Sequence, residues 1–160
     1  MKKVFNNVIL ILLPCLVLGL FVLNGKLASM KYSKVSAKIN VYNAEISTSY
    51  TIIQGKMNEE ELIPVHIKNS GTMTWLTGQI NSIFLSYHIM DAKGKIITND
   101  GLRTSLPNTI QPSEFADLMM KLKTPNTIGS YKVEIDMINE GTAWFKDKGS
   151  KTIIVDMDVK

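Results

Sequence analysis

The chain has 160 residues, 45% of them apolar, which is room for one ordinary domain and a targeting segment and excludes a second large domain. Its net charge of +4 hints at a nucleic-acid partner only until the charges are placed. Lys2, Lys3 and Lys26 flank the first apolar run, and the remaining 15 basic residues are interspersed with 14 acids, so no nucleic acid is expected as a partner.

The chain opens with "MKKVFNNVILILLPCLVLGLFVLNGKLASMK", a basic start followed by an unbroken apolar run from Val8 to Leu23. Residues 1–30 read as a signal anchor or a cleaved signal peptide, with the following domain outside the cytoplasm. Small residues suited to cleavage are poorly placed after the run, which favours the anchor, a single-pass span of the membrane. A cleaved, secreted form is the alternative. Cys15, the only cysteine, lies within this run. It is read as a small apolar residue of a membrane helix rather than a lipidation site, because Pro14 precedes it and the apolar run continues beyond it. The rest of the chain can therefore form no internal disulfide and no Cys-based metal site.

Residues 31–50 form a Lys/Ser-rich linker that contains a possible first strand, "SAKINVYNAEIS". From residue 51 to 160 the apolar period is two. The stretch "GKMNEEE" reads as a solvated loop, and in "LIPVHIKNSG" Ile63, Val65 and Ile67 alternate with polar or turn-forming neighbours. In "SIFLSYHIMDAKGKIITNDG" one face carries Ile83, Leu85, Tyr87 and Ile89, and "DAKGK" returns the chain through Ile96 and Ile97 as a hairpin. "FADLMMKLKTP" alternates Ala116, Leu118, Met120 and Leu122 with polar residues and Met119. "SYKVEIDMINEG" does the same with Tyr131, Val133, Ile135 and Met137, and "KTIIVDMDVK" with Ile153, Val155, Met157 and Val159. Turn residues separate the runs, and no helical stripe follows residue 30. About seven short strands with one polar face each describe an all-β, antiparallel, immunoglobulin-like β-sandwich.

The order "VHIKNSGTMTW", "SYHIMDAKGKIITNDGLRTSLPNTIQPSE", "TPNTIGSYKVEIDMINEGTAWF" resembles the Ig-like modules appended to bacterial glycosyltransferases, methyltransferases and polysaccharide exporters. Their patterns look like N-x-G-x-x-x-W, S-Y-H-W, D-G-x-R-T-x-L-P and E-G-x-x-W-F. It is similar, more remotely, to four-tryptophan and other Ig-like accessory domains of carbohydrate-active proteins. The chain departs from the pattern at Ile89, where Trp is expected, and at Gln111 to Glu114, which replace a Pro-Gly-Glu turn. The resemblance implies a binding or accessory role whose partner is a cell-surface polysaccharide or its assembly machinery. A structural subunit that binds protein through a sheet edge is the alternative, favoured if Met119, Ile138 and Ile154 form one patch.

Four residues are candidates for ligand binding: Trp144 and Phe145 in "GTAWFKDKG", and Asp100 and Arg103 in "NDGLRT". Strand alternation sends one ring inward and one outward. Either Trp144 plugs the open end of the sandwich while Phe145 packs on a loop, or the pair forms a stacking surface for a sugar. Trp75 is expected in the core. Gly101 is expected to supply a positive φ and Asp100 to accept from backbone amides. Arg103 is expected to pair with Glu140, an acidic sugar being the other possible partner. His88 is placed on the solvent face of its strand. The two histidines and Asp91 lack the spacing of a metal site, no nucleophile elbow or phosphate loop occurs, and no cofactor or catalytic role is expected.

Overall fold

Burial alternates where the sequence alternates. In the computed structural model, which describes residues 40–78 and 81–160, the strands in chain order are β1 (Ala44–Ser47), β2 (Ile52–Gly55), β3 (Glu60–Asn69), β4 (Ile83–Asp91) and β5 (Ile96–Thr98). They continue as β6 (Thr104–Ser105), β7 (Phe115–Lys123), β8 (Gly129–Asn139), β9 (Ala143–Trp144) and β10 (Ile153–Val159). Ile63, Val65 and Ile67 of β3 are buried while His66 is exposed. Ala116, Leu118, Met120 and Leu122 of β7 are buried while Phe115, Asp117 and Met119 are exposed. A period of two on a half-buried strand has this consequence. The N-terminal segment read as an anchor or signal lies outside the described residues.

The strands form two sheets. In the first, β3 lies between β1 and β7, and all pairs are antiparallel. The second runs β2-β10-β8-β4-β5, with β6 also on β4 and β9 also on β8. The first extended segment is divided: β1 pairs with β3 in one sheet, then the chain crosses and β2 runs parallel to β10 in the other. Taking β3 and β7 as one pair and β4, β8 and β10 as the facing set gives the strand distribution of an Ig-like sandwich. The expectation of a wholly antiparallel fold is corrected at β2, whose pairing with β10 joins segments far apart in the chain. "GKMNEEE" is corrected as well, because Glu60 and Glu61 open β3, opposite Lys123 and Leu122.

Tyr131 supplies an Ig-like corner. Its hydroxyl donates to the Thr127 carbonyl at 2.9 Å, tying the start of β8 to the turn before it. Tyr87, buried on β4, accepts the Lys123 amide at 2.8 Å and so links the two sheets. The core holds Trp75, Tyr87, Phe145 and the inward aliphatic residues of both sheets, each contributing about 1.5–3 kcal/mol by leaving water. Asn69 explains the Asn-x-Gly-x-x-x-Trp spacing. Its buried amide donates to the Met73 carbonyl at 2.8 Å and the Ile110 carbonyl at 3.1 Å, and its oxygen accepts the Gly71 amide at 3.2 Å. A Cβ on Gly71 would lie 2.4 Å from the Val41 carbonyl oxygen, so only glycine lets that backbone approach.

Candidate functional site

The chain leaves β8, turns through Glu140, Gly141 and Thr142, and returns as β9, with Trp144 opposite Ile138. The Phe145 amide donates to the Met137 carbonyl at 2.9 Å. Phe145 thereby takes the inward side of Met137 and Trp144 the outward side of Ile138. One ring points each way, as alternation requires, but the roles are exchanged relative to the expectation. Phe145 is fully buried between Tyr42, centroids 5.2 Å apart, and Trp75, centroids 5.6 Å apart, both in edge-on geometry. Trp144 lies half-buried over the outer face of the larger sheet. Its ring centroid is 4.1 Å from that of His88, and the Arg103 guanidinium carbon is 5.2 Å from the ring.

Arg103 pairs with Glu140 as expected, Nε to Oε2 at 2.7 Å. It also donates to Asp100 at 3.0 Å, to the Gly101 carbonyl at 2.9 Å and to the Ser86 hydroxyl at 3.2 Å. Asp100 thus serves Arg103. Gly101 is corrected too: its φ is not positive, and glycine is required because a Cβ would lie 2.6 Å from the Tyr87 carbonyl oxygen and 2.7 Å from that ring. Burial opposes the charge on Arg103, but the bonds from Glu140 and Asp100 outweigh it and hold the guanidinium more firmly protonated than usual.

His88 is only 1% exposed, against the expectation of a solvent face. Its parity is outward as foreseen, but the segment from β9 to the 3₁₀ turn at Lys146–Lys148 folds back over that face. Its Nδ1 bonds to the Asn99 carbonyl, and Nε2 has no hydrogen-bond partner among the described residues. Burial, then the charge of Lys146, pushes the imidazole below its ordinary value despite the Asn99 carbonyl, Glu134 and Asp100. Beside it, Glu134 accepts from Lys146 Nζ at 2.8 Å and Thr152 at 2.9 Å. Burial would raise this carboxyl, and those two bonds hold it below its usual range instead. Asp136 is fully buried and accepts the amides of Met137 at 2.7 Å and Lys146 at 3.1 Å. Its burial outweighs them and lifts it to about 6. The cluster is a clasp: each charged group named here is engaged in fastening residues 140–150 to the sheet.

The outer face of the smaller sheet is open. Phe115, 66% exposed, stands beside His66 with ring centroids 5.4 Å apart, and His66 Nδ1 lies 2.8 Å from Asp117 Oδ1. Next to them a groove of about 390 Å³ is lined by Ser47, Thr48, Ser49, Pro64, Asp117 and Met119, with His66 on its wall. The sequence signal for Phe115 is its outward parity with Asp117 and Met119. The proposed three-residue patch is corrected. Met119 lies on this face, Ile154 on β10 of the other sheet, and Ile138 is buried. Among the described residues no group of His, Cys, Asp and Glu could hold a metal ion.

No protein-family model matches the chain, and no curated protein matches it. Among solved structures it is similar to the CARDB domain of a Pyrococcus furiosus protein, solved in complex with di-metal ions. The identity is 19% and the TM-score 0.43, over 73% of this chain and 90% of that domain. It is also similar to a β-glucosidase from Listeria innocua, at 12% identity and a TM-score of 0.45, over 73% of this chain and 16% of the enzyme. A family 123 glycoside hydrolase from Clostridium perfringens matches at 11% identity and a TM-score of 0.29, over 73% of this chain and 27% of the hydrolase. The chain thus spans a small part of either enzyme.

Proposed function

We propose that this protein is a non-catalytic Ig-like binding module of the bacterial envelope. The N-terminal apolar segment anchors it, the sandwich lies on the outer side, and the open face of the smaller sheet engages cell-surface polysaccharide or the machinery that makes or exports it. The observation that carries the reading is the exposed Phe115 ring beside an imidazole and a carboxylate, next to a groove walled by the hydroxyls of Ser47, Thr48 and Ser49 and the apolar side chains of Pro64 and Met119. A sugar has an apolar C–H face and a rim of hydroxyls, and a ring flanked by polar groups meets both. The apolar run from Val8 to Leu23 behind a basic start supports the anchored placement. No cofactor and no nucleic-acid partner belong to this reading.

The test is binding of the full-length chain to an array of bacterial surface glycans, with Phe115→Ala beside it. Saturable binding that weakens about tenfold or more in Phe115→Ala is expected, with the thermal midpoint nearly unchanged because the ring is exposed. Absence of binding to every glycan, or a Phe115→Ala variant that binds as well as the parent, would sink the reading. A second reading is an assembly subunit that binds protein at a sheet edge. It is favoured by β5, where Ile96 and Ile97 are both exposed on the outermost strand of the larger sheet.

A further inference from the structure

Resting on that reading of the open face, we infer that the groove beside Phe115 selects sugars carrying a free amine. The charged group that lines it is Asp117, whose side chain is 82% exposed. Asp117 Oδ1 is occupied by His66 Nδ1, and Oδ2 receives no bond from a described residue.

Thr48 spends its proton on the Pro64 carbonyl at 2.6 Å and accepts the Tyr50 amide at 3.3 Å, which leaves its hydroxyl oxygen one further lone pair. Ser47 and Ser49 stand on either side of it along the same wall. The groove therefore offers acceptors, the free carboxylate oxygen of Asp117 and the hydroxyls of Ser47, Thr48 and Ser49. An ammonium group brings three donors and a positive charge and satisfies such a set with charge-assisted bonds. An N-acetyl group in its place offers one donor and no charge. A uronic acid or a phosphate would bring a second negative charge against Asp117 with no arginine to receive it. Lys68, opposite Phe115 on β3, is turned to Glu45 at 3.5 Å. Phe115 supplies the stacking surface for either an amine-bearing or an acetylated sugar, and Asp117 the choice between them.

The experiment is titration of the full-length protein with three oligosaccharides of equal length: β-1,4-linked glucosamine, its fully N-acetylated counterpart, and galacturonate. The glucosamine oligomer is expected to bind about threefold more tightly than the acetylated one, since Asp117 is exposed, and galacturonate least. Asp117→Asn should erase the preference and leave the acetylated oligomer's affinity as it was, whereas Phe115→Ala should weaken both. Glu45→Gln, on the same face but outside the groove, should keep the preference, which separates a site from general attraction of a polycation. Equal affinity for amine and acetyl forms, tighter galacturonate, a preference that survives Asp117→Asn, or one lost in Glu45→Gln would each overturn the inference. If none of the three binds while another glycan on the array binds in a Phe115-dependent way, the inference fails and the module reading stands. If nothing on the array binds, the reading itself fails.

Discussion

Asp136 and His88 are neighbours under one flap, and acid acts on them with opposite signs. Burial lifts Asp136 to about 6 in the folded chain against 3.8 for an unperturbed aspartate, so the folded state holds the extra proton between those values. Its contribution to stability is greatest in acid, declines as pH rises from about 4 to about 6, and stays lost above, an effect on the order of 3 kcal/mol. His88 is depressed below 6.5, so the unfolded chain takes that proton first. Its contribution is complete above about pH 6.5 and is lost as pH falls. Glu134, held low by Lys146 and Thr152, also loses its contribution in acid. Asp136 accepts two backbone amides, one on each oxygen, and an asparagine keeps an acceptor for only one of them. Asp136→Asn should therefore fall furthest below the parent at pH 4, and the gap should narrow toward pH 7. Urea midpoints of both proteins between pH 4 and 7.5 would show this, and parallel curves would contradict it.

At the scale of the element, the β9 segment carries two adjacent aromatic rings with different duties. Phe145→Ala opens a cavity among Tyr42 and Trp75 and is expected to cost about 3–5 kcal/mol. Trp144→Ala removes a half-buried ring from His88 and Arg103 and should cost about 1–2 kcal/mol. Denaturant unfolding of the two variants ranks them, and a larger loss for Trp144→Ala would refute the exchange of roles. The sequence showed that one ring must face each way, because alternation is local. Which ring faced inward depended on the length of the turn at Glu140 to Thr142, and turn length sets register. The faces of β3, β4, β7, β8 and β10 were legible for the same local reason. The parallel pairing of β2 and the covering of His88 were not, since both depend on segments that meet only after long loops close. Glycine in "NDG" usually marks a turn, whereas the requirement for Gly101 comes from Tyr87 of another element.

Across the whole sandwich the two outer faces differ in kind. Around His88 the face of the larger sheet is covered by its own chain and by paired charges, Arg103 with Glu140 and Asp100, and Lys146 with Glu134, while Ile154 of β10 stays exposed. The face of the smaller sheet presents Phe115, Leu62 and Met119 among polar residues. The glycan experiments address the face of the smaller sheet. Of this site the sequence held the parity of Phe115 but not its neighbours, because His66 and Asp117 come together only through the register of β3 against β7.

The divided first strand also has a mechanical meaning. β2 and β10 run side by side in the same direction, with Asp156 opposite Ile52 and Val159 opposite Gly55. Tension that enters through the start of β2 and leaves through the end of β10 drags the two strands past each other, so their hydrogen bonds are loaded together in shear. An antiparallel pair pulled from adjoining ends would unzip one bond at a time. β1, held to β3 on the other sheet, should peel first as a small early event, and the body should then resist until the β2–β10 seam ruptures at once. Single-molecule pulling of a disulfide staple between positions 54 and 158, compared with the parent, would test this. The staple should remove the main rupture, and an unchanged force trace would mean that the load is borne elsewhere.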